Sequence, residues 1–239
     1  MSCTVLNKIV RVEGNKHFGI EDAQIKECDV SLILDGVPLA RAVITDTDSM
    51  AKKLWALGYL KCNGIIEKYE DVSGMDVNQD CIEVRLKNLL ARNICEEPLN
   101  VLWKTSPKVI FDSIRWLASA PLFKATGGTH VAAIFDPDGE RLFGAEDVGR
   151  HNAVDKVIGW ALMENIDLSG VLLVTSGRMP KDMVAKAWAA GIGLMASVSA
   201  ATIDGADTAR RANITLAGFV REGRMNIYYD SEPNRIELP

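Results

Sequence analysis

The pattern of hydrophobic and polar positions becomes regular near residue 129 and stays regular to about residue 230. Short apolar runs that favour strands alternate there with longer mixed runs at helical spacing. The run VLLVT is apolar throughout, which is typical of a strand buried on both faces of a sheet. This alternation predicts a layered α/β domain with a mixed, largely parallel sheet. The predicted strands are THVAAIF, RLFGAE, VLLVT, GLMASVS, ITLAGFV and RMNIYY, and the predicted helices are HNAVDKVIGWALMEN, PKDMVAKAWAA and DGADTARRA.

The amino-terminal part of the chain is patterned differently and predicts a smaller α+β unit. Residues 1–26 are polar and weakly patterned, so we expect a loose arm with at most one strand. Two β-rich runs then flank Asp35-Gly36, a dipeptide that favours a hairpin turn. A helix is expected over TDTDSMAKKLWALGYLKCNGII, with Asp46 or Thr47 as its cap, and a strand over CIEVRL.

The boundary between the two units is expected near residue 105. A helix with Pro107 close to its start is predicted over KVIFDSIRWLASA. We therefore divide the chain into a small α+β domain, residues 1–105, and a larger α/β domain, residues 106–239.

Composition is that of an ordinary soluble globular protein, with 48% hydrophobic and 25% charged residues in a chain of 239. A chain of this length can bury enough apolar surface to fold without disulfides or metal. The net charge of −5 argues against general nucleic-acid binding, which needs a basic face. The sequence lacks both an apolar run long enough to span a membrane and a signal peptide, so we expect a cytoplasmic protein without membrane contact.

The cysteines suggest reduced thiols rather than a disulfide framework. Their number is odd, and no two of them form a C-x-x-C pair, so a zinc knuckle or a dithiol motif is not expected. The five positions are Cys3, Cys28, Cys62, Cys81 and Cys95.

Three junctions between a predicted strand and the following predicted helix are the first candidates for chemistry. Ligands of open parallel sheets bind at the carboxyl ends of strands, and helix starts offer free N–H groups that suit phosphate. Each junction holds small or hydroxyl side chains, and two hold an arginine, whose planar fork suits phosphate or a guanine edge. The junctions are Glu146–Asn152, Thr175–Arg178 and Ser197–Thr202.

A fourth candidate is the segment TGGTH, which lies directly before a predicted strand. Its paired glycines permit backbone conformations closed to other residues. If His130 of this segment and His151 of the first junction converge, they could bind a ligand or move protons. G-x-G-x-x-G and P-loop motifs are both lacking, so a standard dinucleotide or P-loop site is not predicted.

Structural roles for the same residues remain open at this point. Asp147 could simply cap a helix, a role worth about 1 kcal/mol. Arg150 and Asp155 could form an ion pair, and Gly177 could serve only a turn.

Taken together, the motifs of the larger domain resemble those of the FdhD/NarQ family of formate dehydrogenase accessory proteins. The order and spacing match over about residues 120–230, and the amino-terminal part is similar more loosely through LILDGVPLA and LGYLKCNGII. The motifs are Thr126–His130, Glu146–Lys156, Ser176–Arg178, Val198–Ala200, Gly218–Arg221, Gly223-Arg224 and Asn226–Tyr228.

The resemblance implies a fold and a function. The larger domain would have the three-layer cytidine-deaminase-like fold, without zinc, since the H-x-E and P-C-x-x-C motifs of a working deaminase do not occur. The protein would be a sulfurtransferase that passes sulfur from a cysteine desulfurase to the bis-molybdopterin guanine dinucleotide cofactor, with molybdenum or tungsten, of formate dehydrogenase. A homodimer is also implied.

The residues that the resemblance assigns to the cofactor include the junctions chosen above. Asp147 is expected to shape its loop, Arg150 and backbone N–H groups to favour the anion, and His151 to face the pocket; Asp155 and Lys156 are expected to fix the helix. The complete set is Thr126, Gly127, Gly128, His130, Asp147, Gly149, Arg150, His151, Asn152, Ser176, Gly177, Arg178, Ser199, Ala200, Phe219, Val220, Arg221, Glu222, Gly223 and Arg224. No metal ligand is assigned.

The sequence departs from the family at the cysteine loop. Family members carry a C-G-x-C-G-type loop on which a persulfide forms, whereas residues 93–98 read NICEEP and retain Cys95 alone. Two acidic neighbours would raise the thiol pKa of Cys95 and weaken it as a nucleophile. Three functions stay open: a sulfurtransferase that uses Cys95, a cofactor-binding chaperone that has lost sulfur transfer, or a nucleotide-binding module with another role.

Overall fold

The computed structural model describes residues 3–45, 48–88 and 97–238. The strands are β1 (Thr4–Glu13), β2 (Lys16–Ile25), β3 (Glu27–Leu34), β4 (Val37–Thr45), β5 (Val72–Val77), β6 (Cys81–Leu86), β7 (His130–Phe135), β8 (Arg141–Asp147), β9 (Leu172–Thr175), β10 (Leu194–Ser197), β11 (Thr215–Arg221) and β12 (Arg224–Tyr229). The α-helices are α1 (Ser49–Cys62), α2 (Pro107–Leu117), α3 (Pro121–Thr126), α4 (Arg150–Met163), α5 (Lys181–Ala190) and α6 (Ile203–Ala212), with short 3-10 turns at Tyr69–Asp71 and Leu168–Gly170.

The central sheet of the described chain has six strands in the order β12-β11-β10-β9-β7-β8. Strand β10 pairs in parallel with β9 and β11, whereas β7 pairs antiparallel with β8 and β9, and β11 antiparallel with β12. The sheet is mixed as predicted, but the prediction that it is largely parallel is wrong. Short turns join β7 to β8 and β11 to β12, and such turns can connect only antiparallel neighbours.

Two hydrophobic cores cover the two faces of this sheet. Ala132 and Ile134 of β7 pack with α4, α5 and α6 on one face, and the alternate residues Val131 and Ala133 pack with α2 on the other. This is the period-2 alternation of a strand that is buried on both sides. The domain therefore has three layers, whereas the specific likeness to cytidine deaminases stays a prediction.

A second sheet, in the order β4-β3-β6-β5, forms the smaller unit together with α1. Its core includes Leu162 of α4, so α1 lies between the two units. The two helices cross very closely: a Cβ at Gly58 would lie 1.8 Å from the carbonyl oxygen of Asp155, and one at Gly159 would lie 1.9 Å from that of Leu54. Only glycine fits at these positions. The division near residue 105 stays a prediction.

The turn of the β3–β4 hairpin agrees with the prediction. Asp35 and Gly36 have φ values of 48° and 78°, the left-handed backbone that a two-residue hairpin turn requires. The predicted cap of α1 is wrong. Asp48 caps this helix by accepting the N–H of Ala51 at 2.8 Å, because the helix begins only at Ser49.

The loose arm predicted for residues 1–26 is also wrong. Residues 4–25 form the antiparallel hairpin β1–β2, with continuous register from Thr4↔Ile25 to Glu13↔Lys16. Both faces of this hairpin carry apolar as well as charged side chains, and most of them are exposed. The apolar/polar alternation that marks a half-buried strand is therefore lacking in the sequence.

Candidate functional site

Six strand ends meet at one edge of the central sheet, which we call the site edge. Strands β8, β9, β10 and β11 run in the same direction and end there, and β7 and β12 run in the opposite direction and begin there. The predicted cofactor motifs lie at these ends or in the segments directly before or after them. The structure thus brings together segments that are far apart in sequence, at the side where open α/β sheets bind ligands.

Hydrogen bonds connect the TGGTH segment to the β9 and β10 loops. Nδ1 of His130 lies 3.1 Å from Oγ of Ser176, and the same oxygen accepts the N–H of Val131 at 3.0 Å. The hydroxyl of Ser199 donates to the carbonyl of Ser176 at 2.8 Å. Since Ser176 accepts from the backbone, its own hydrogen is available to Nδ1 of a neutral His130, whose remaining hydrogen is then on Nε2.

The two histidines whose convergence the sequence left open, His130 and His151, share an environment at the site edge. Burial, then the positive charges of Arg150 and His151, lowers the pKa of His130 below 6.5. Burial also lowers the pKa of His151, although its Nε2 lies 2.8 Å from Oδ2 of Asp182, whose charge acts in the opposite direction. Both rings therefore favour the neutral form, in which one nitrogen accepts and the other donates.

Arg150 is placed at the first turn of α4 by two glycines. The helix begins after Gly149, which has no capping side chain, so helix geometry leaves the first N–H groups without intrahelical acceptors. A Cβ at Gly177 would lie 2.8 Å from Cβ of Arg150, so glycine is needed for this side chain to pass. Nε of Arg150 is buried and has no acceptor among the described residues. A buried donor of this kind needs an acceptor from outside the chain, such as an ordered water or a ligand.

In contrast, both carboxylate oxygens of Asp147 accept hydrogen bonds from other residues of the chain. Its Oδ2 lies 2.5 Å from Nζ of the buried Lys156 and accepts the N–H of Thr45 at 3.2 Å. Its Oδ1 accepts the N–H of Gly149 at 2.9 Å. In return, Oγ1 of Thr45 accepts the N–H of Val148 at 3.0 Å. The carboxylate therefore holds the loop before α4 against the end of β4.

Asn152 continues this connection. Its Nδ2 donates to Oδ1 of Asp147 at 2.9 Å and to the carbonyl of Val43 at 2.8 Å. Both residues were assigned to the cofactor by resemblance, and the geometry gives them contacts to the small unit. The role of Thr45 was missed, because no local signal relates it to a motif about 100 residues later.

The ion pair between Arg150 and Asp155, one of the structural alternatives, is not formed in the described residues. Asp155 is buried and lies 2.6 Å from Nζ of Lys186 on α5. Burial raises the pKa of Asp155, and Lys186 opposes this shift. The sulfur of Cys62 lies beside this pair, and burial raises the pKa of its thiol. Asp155 and Lys156 thus fix α4 to its neighbours.

The TGG residues end α3 and meet the amino-terminal hairpin. Gly127 is the left-handed C-cap of α3, with a φ of 65°. The hydroxyl of Thr126 donates to the carbonyl of Leu122 at 2.7 Å and accepts the N–H of Gly128 at 3.0 Å. A Cβ at Gly128 would lie 3.2 Å from Cγ1 of Ile25, so the base of the β1–β2 hairpin packs directly beside the site edge.

The β11–β12 turn combines buried and exposed members of the predicted set. Phe219 has a φ of 49° and donates its N–H to the carbonyl of Ser199 at 3.0 Å. Val220 is buried in the core. Nη1 of Arg221 donates to the carbonyls of Val198 and Val220, at 2.7 and 2.8 Å, and so joins β11 to the β10 loop. The exposed members of the set in and near this turn are Arg178, Phe219, Arg221, Glu222, Gly223 and Arg224.

Cys95, the predicted sulfur-carrying residue, lies outside the described residues. The cysteines that the structure describes, Cys3, Cys28, Cys62 and Cys81, form no disulfide with one another. A depression of about 390 Å³ is found at the opposite end of the central sheet from the site edge, and it is lined in part by Lys61, Lys68, Leu162, Asn165, Ser169 and Gly191.

Comparison with known proteins identifies the class. The FdhD/NarQ family matches residues 90–237, and the chain belongs to this family. The chain is 35% identical to the sulfur carrier protein FdhD of Wolinella succinogenes over 245 aligned residues, which cover 91% of this chain and 84% of that protein. It is 37% identical to the sulfur carrier protein FdhD of Saccharolobus solfataricus over 212 residues, 80% of this chain and 82% of that one.

A solved structure supports the same classification. The crystal structure of a candidate formate dehydrogenase accessory protein from Desulfotalea psychrophila superposes with a TM-score of 0.85 and 25% sequence identity. The superposition covers 99% of this chain and 100% of the other.

Within residues 3–45, 48–88 and 97–238, none of the helices combines the length and the apolar character needed to cross a bilayer.

Proposed function

We propose that the protein is a sulfur carrier that serves formate dehydrogenase. It accepts sulfur from a cysteine desulfurase and delivers it to the bis-molybdopterin guanine dinucleotide cofactor of that enzyme, which binds at the site edge. The observation that carries the proposal is the convergence of the family's motifs at one sheet edge, around the buried Nε of Arg150, which has no acceptor in the described part of the chain.

The sulfur-carrying half of the proposal is supported by the relatives. Two of them, from a bacterium and an archaeon, are named sulfur carrier proteins and align with at least four fifths of this chain. This similarity disfavours the alternative of a chaperone that has lost sulfur transfer. It leaves Cys95 as the residue of NICEEP that can perform the chemistry.

The acceptance step is a thiol exchange. The Cys95 thiolate attacks the outer sulfur of a persulfide on the desulfurase, forming a new S–S bond while the desulfurase cysteine leaves as a thiolate. No net oxidation or reduction occurs, since the sulfur moves at its existing oxidation level. Cys62 is unsuited to this step because burial raises the pKa of its thiol and keeps it protonated.

The cofactor-binding half is supported by the chemistry of the site edge. A dinucleotide carries phosphates, which suit the free N–H groups and positive dipole end of α4. The guanidinium of Arg150 could donate to a phosphate oxygen or to a guanine edge, and those of Arg178 and Arg224 are exposed nearby. Neutral His130, whose Nδ1 accepts from Ser176, offers its Nε2–H as a donor to the ligand.

The sulfur step is tested by incubation with a cysteine desulfurase and isotope-labelled cysteine, followed by mass spectrometry of the non-reduced protein. We expect a persulfide on Cys95, its loss in Cys95→Ala, and its retention in the matched variant Cys62→Ala. An unlabelled wild type would overturn the proposal. Label that persists in Cys95→Ala would assign the carrier role to another cysteine.

Cofactor binding is tested separately by calorimetry with GDP, which carries the guanine and phosphates of the cofactor. Arg178→Ala and Arg224→Ala should each weaken binding by about tenfold or more, the usual effect of losing a charged hydrogen bond. Arg210→Ala, on the far end of α6, is the control and should bind normally. If both site variants bind GDP as the wild type does, the two arginines are not part of the binding site. If neither GDP nor the cofactor raises the melting temperature of the wild type, the cofactor-binding half of the proposal fails.

A further inference from the structure

The short helix α3 leads directly into the TGGTH segment, and its amino-terminal end has no capping side chain of its own. The helix has six residues and begins at Pro121, and the preceding Ala120 offers no side-chain hydrogen bond to it. An isolated helix of this length is not stable in water, because the first turn costs more than so few hydrogen bonds return. The position of α3 therefore depends on contacts from elsewhere in the chain.

The side chain of Glu146, near the end of β8, supplies such contacts. Its Oε2 accepts the N–H of Leu122 at 3.0 Å, and its Oε1 accepts the N–H of Phe123 at 2.5 Å. Pro121 has no N–H, and the N–H of Ala120 donates to the last carbonyl of α2 at 3.3 Å. A helix leaves these first N–H groups without internal acceptors, and here the carboxylate of Glu146 accepts two of them.

The same carboxylate also holds the other end of the segment. Its Oε1 accepts the hydroxyl hydrogen of Thr129 at 3.2 Å, and Thr129 is buried. Glu146 is thus bonded to the chain before and after the two glycines of TGGTH. Its negative charge also lies at the amino-terminal end of α3, where the helix dipole favours an anion.

Glu146 and the neighbouring Asp147 hold opposite sides of the site edge. In the register of β7 and β8, Glu146 is opposite Val131, which packs with α2. Asp147 is opposite His130 and pairs with Lys156 of α4. Successive residues of a strand point to opposite faces of the sheet, so the two carboxylates act on different layers. Asp147 fixes the loop before α4, and Glu146 fixes the segment before β7.

We infer that Glu146 is a positioning residue of the cofactor site, whose carboxylate holds the TGGTH segment in place at the site edge without touching the ligand. The inference rests on the proposed binding of the cofactor at that edge. Both oxygens of Glu146 already accept hydrogen bonds within the chain, and their negative charge does not favour phosphate. A segment that is held in one arrangement before binding spares the ligand the cost of ordering it.

The first test asks whether Glu146 holds the segment. Glu146→Gln keeps the size of the side chain, but its amide has one oxygen, and its NH2 group cannot accept the second N–H. We expect hydrogen exchange of the ligand-free protein, read by mass spectrometry, to become about tenfold faster in residues 121–130 and to stay unchanged in β9 and β10. Thr129→Val, which removes the hydroxyl at similar volume, should show a smaller increase. Glu140→Gln, at an exposed position in the β7–β8 turn, is the matched control.

The second test asks what this placement does for the ligand. Calorimetry should give a GDP affinity about tenfold lower in Glu146→Gln than in the wild type, because the segment is in its binding arrangement for only part of the time. Ordering and binding are coupled in both directions, so saturating GDP should return the exchange of residues 121–130 in this variant close to the wild-type rate. A side chain that serves stability alone would leave the affinity unchanged, and GDP would not restore the protection.

The outcomes separate this inference from the proposed function. Wild-type exchange of residues 121–130 in both Glu146→Gln and Thr129→Val would overturn the inference, and so would equal GDP affinities in Glu146→Gln and a wild type that binds. A wild type that does not bind GDP would remove the cofactor-binding half of the proposed function and the positioning role with it. Faster exchange in Glu146→Gln would then still show that Glu146 holds the segment. If Glu146→Gln does not fold, Thr129→Val decides both tests.

Discussion

The carboxylate of Asp147 lies 2.5 Å from the ammonium of Lys156, and both side chains are buried. This pair lies between the last residue of β8 and the second turn of α4, and the same carboxylate accepts the N–H of Thr45 from the small unit. The pair therefore connects three segments at the point where Arg150 begins its helix. The motif Glu146–Lys156 therefore serves in part to hold the site edge against the smaller unit.

Replacement of Lys156 by methionine should be strongly destabilising. The substitution keeps most of the side-chain volume but leaves Asp147 as a buried charge without its cation, and breaking such a pair costs about 3–5 kcal/mol. Denaturant unfolding should show this loss in the free energy of unfolding. Lys181→Met, at an exposed position on α5, is the control and should change it by less than about 0.5 kcal/mol. An equally stable Lys156→Met protein would show that the pair is not structural.

The crossing of α1 and α4 should not tolerate any larger residue. In Gly159→Ala the new methyl group would lie 1.9 Å from the carbonyl oxygen of Leu54, so the helices must separate. We expect a loss of at least about 3 kcal/mol in unfolding free energy, since overpacking against side chains alone costs 1–3 kcal/mol. At Gly170 a Cβ meets nothing within 4 Å, so Gly170→Ala should be nearly neutral. Equal melting temperatures for the two variants would contradict this.

Acidification should weaken the fold through the two histidines of the site edge. The folded pKa values of His130 and His151 lie below the usual 6.5, so below about that pH the unfolded chain binds more protons than the folded one. Their stabilising contribution is complete above pH 6.5 and is lost as the pH falls through the folded pKa values. Unfolding free energies from about pH 7 to pH 5 should fall less steeply in His130→Gln/His151→Gln. Parallel pH profiles for the two proteins would be evidence against this coupling.

Gly177→Ala should weaken ligand binding indirectly. The substitution removes no side chain that could contact the ligand, but it displaces the neighbouring Arg150. The added methyl group would lie 2.8 Å from Cβ of Arg150 and must displace that side chain. We expect GDP affinity to fall about as much as in Arg150→Ala, with a loss of only 1–3 kcal/mol in unfolding free energy, as for moderate overpacking. Calorimetry on both variants checks this, with Gly170→Ala as a matched control. Normal GDP affinity in Gly177→Ala would place Arg150 outside the binding site.

Local chemistry explains which elements could be predicted. As expected, Asp35-Gly36 provides the left-handed backbone of its turn, Pro107 lies at the start of α2, and the apolar run before Ser176 is a buried strand. The β1–β2 hairpin, residues 4–25, was not predicted, because strands that are exposed on both faces lack the apolar/polar alternation by which a strand is recognised. The cap of α1 was misplaced by one or two residues, the usual uncertainty of helix boundaries.

The sequence by itself determined the strand–helix order from residue 129 onward, the motifs at its junctions and the family to which they belong, because spacing and residue type are local properties. The short helix α3 before that point was not predicted. Only the tertiary structure decided the strand directions and the meeting of the motifs at one edge. It also distinguished Arg150, whose buried Nε has no acceptor among the described residues, from Asp147, whose two oxygens already accept hydrogen bonds from the chain. Those features depend on contacts between distant segments, such as Thr45 with Asp147. No residue pattern within either segment encodes them.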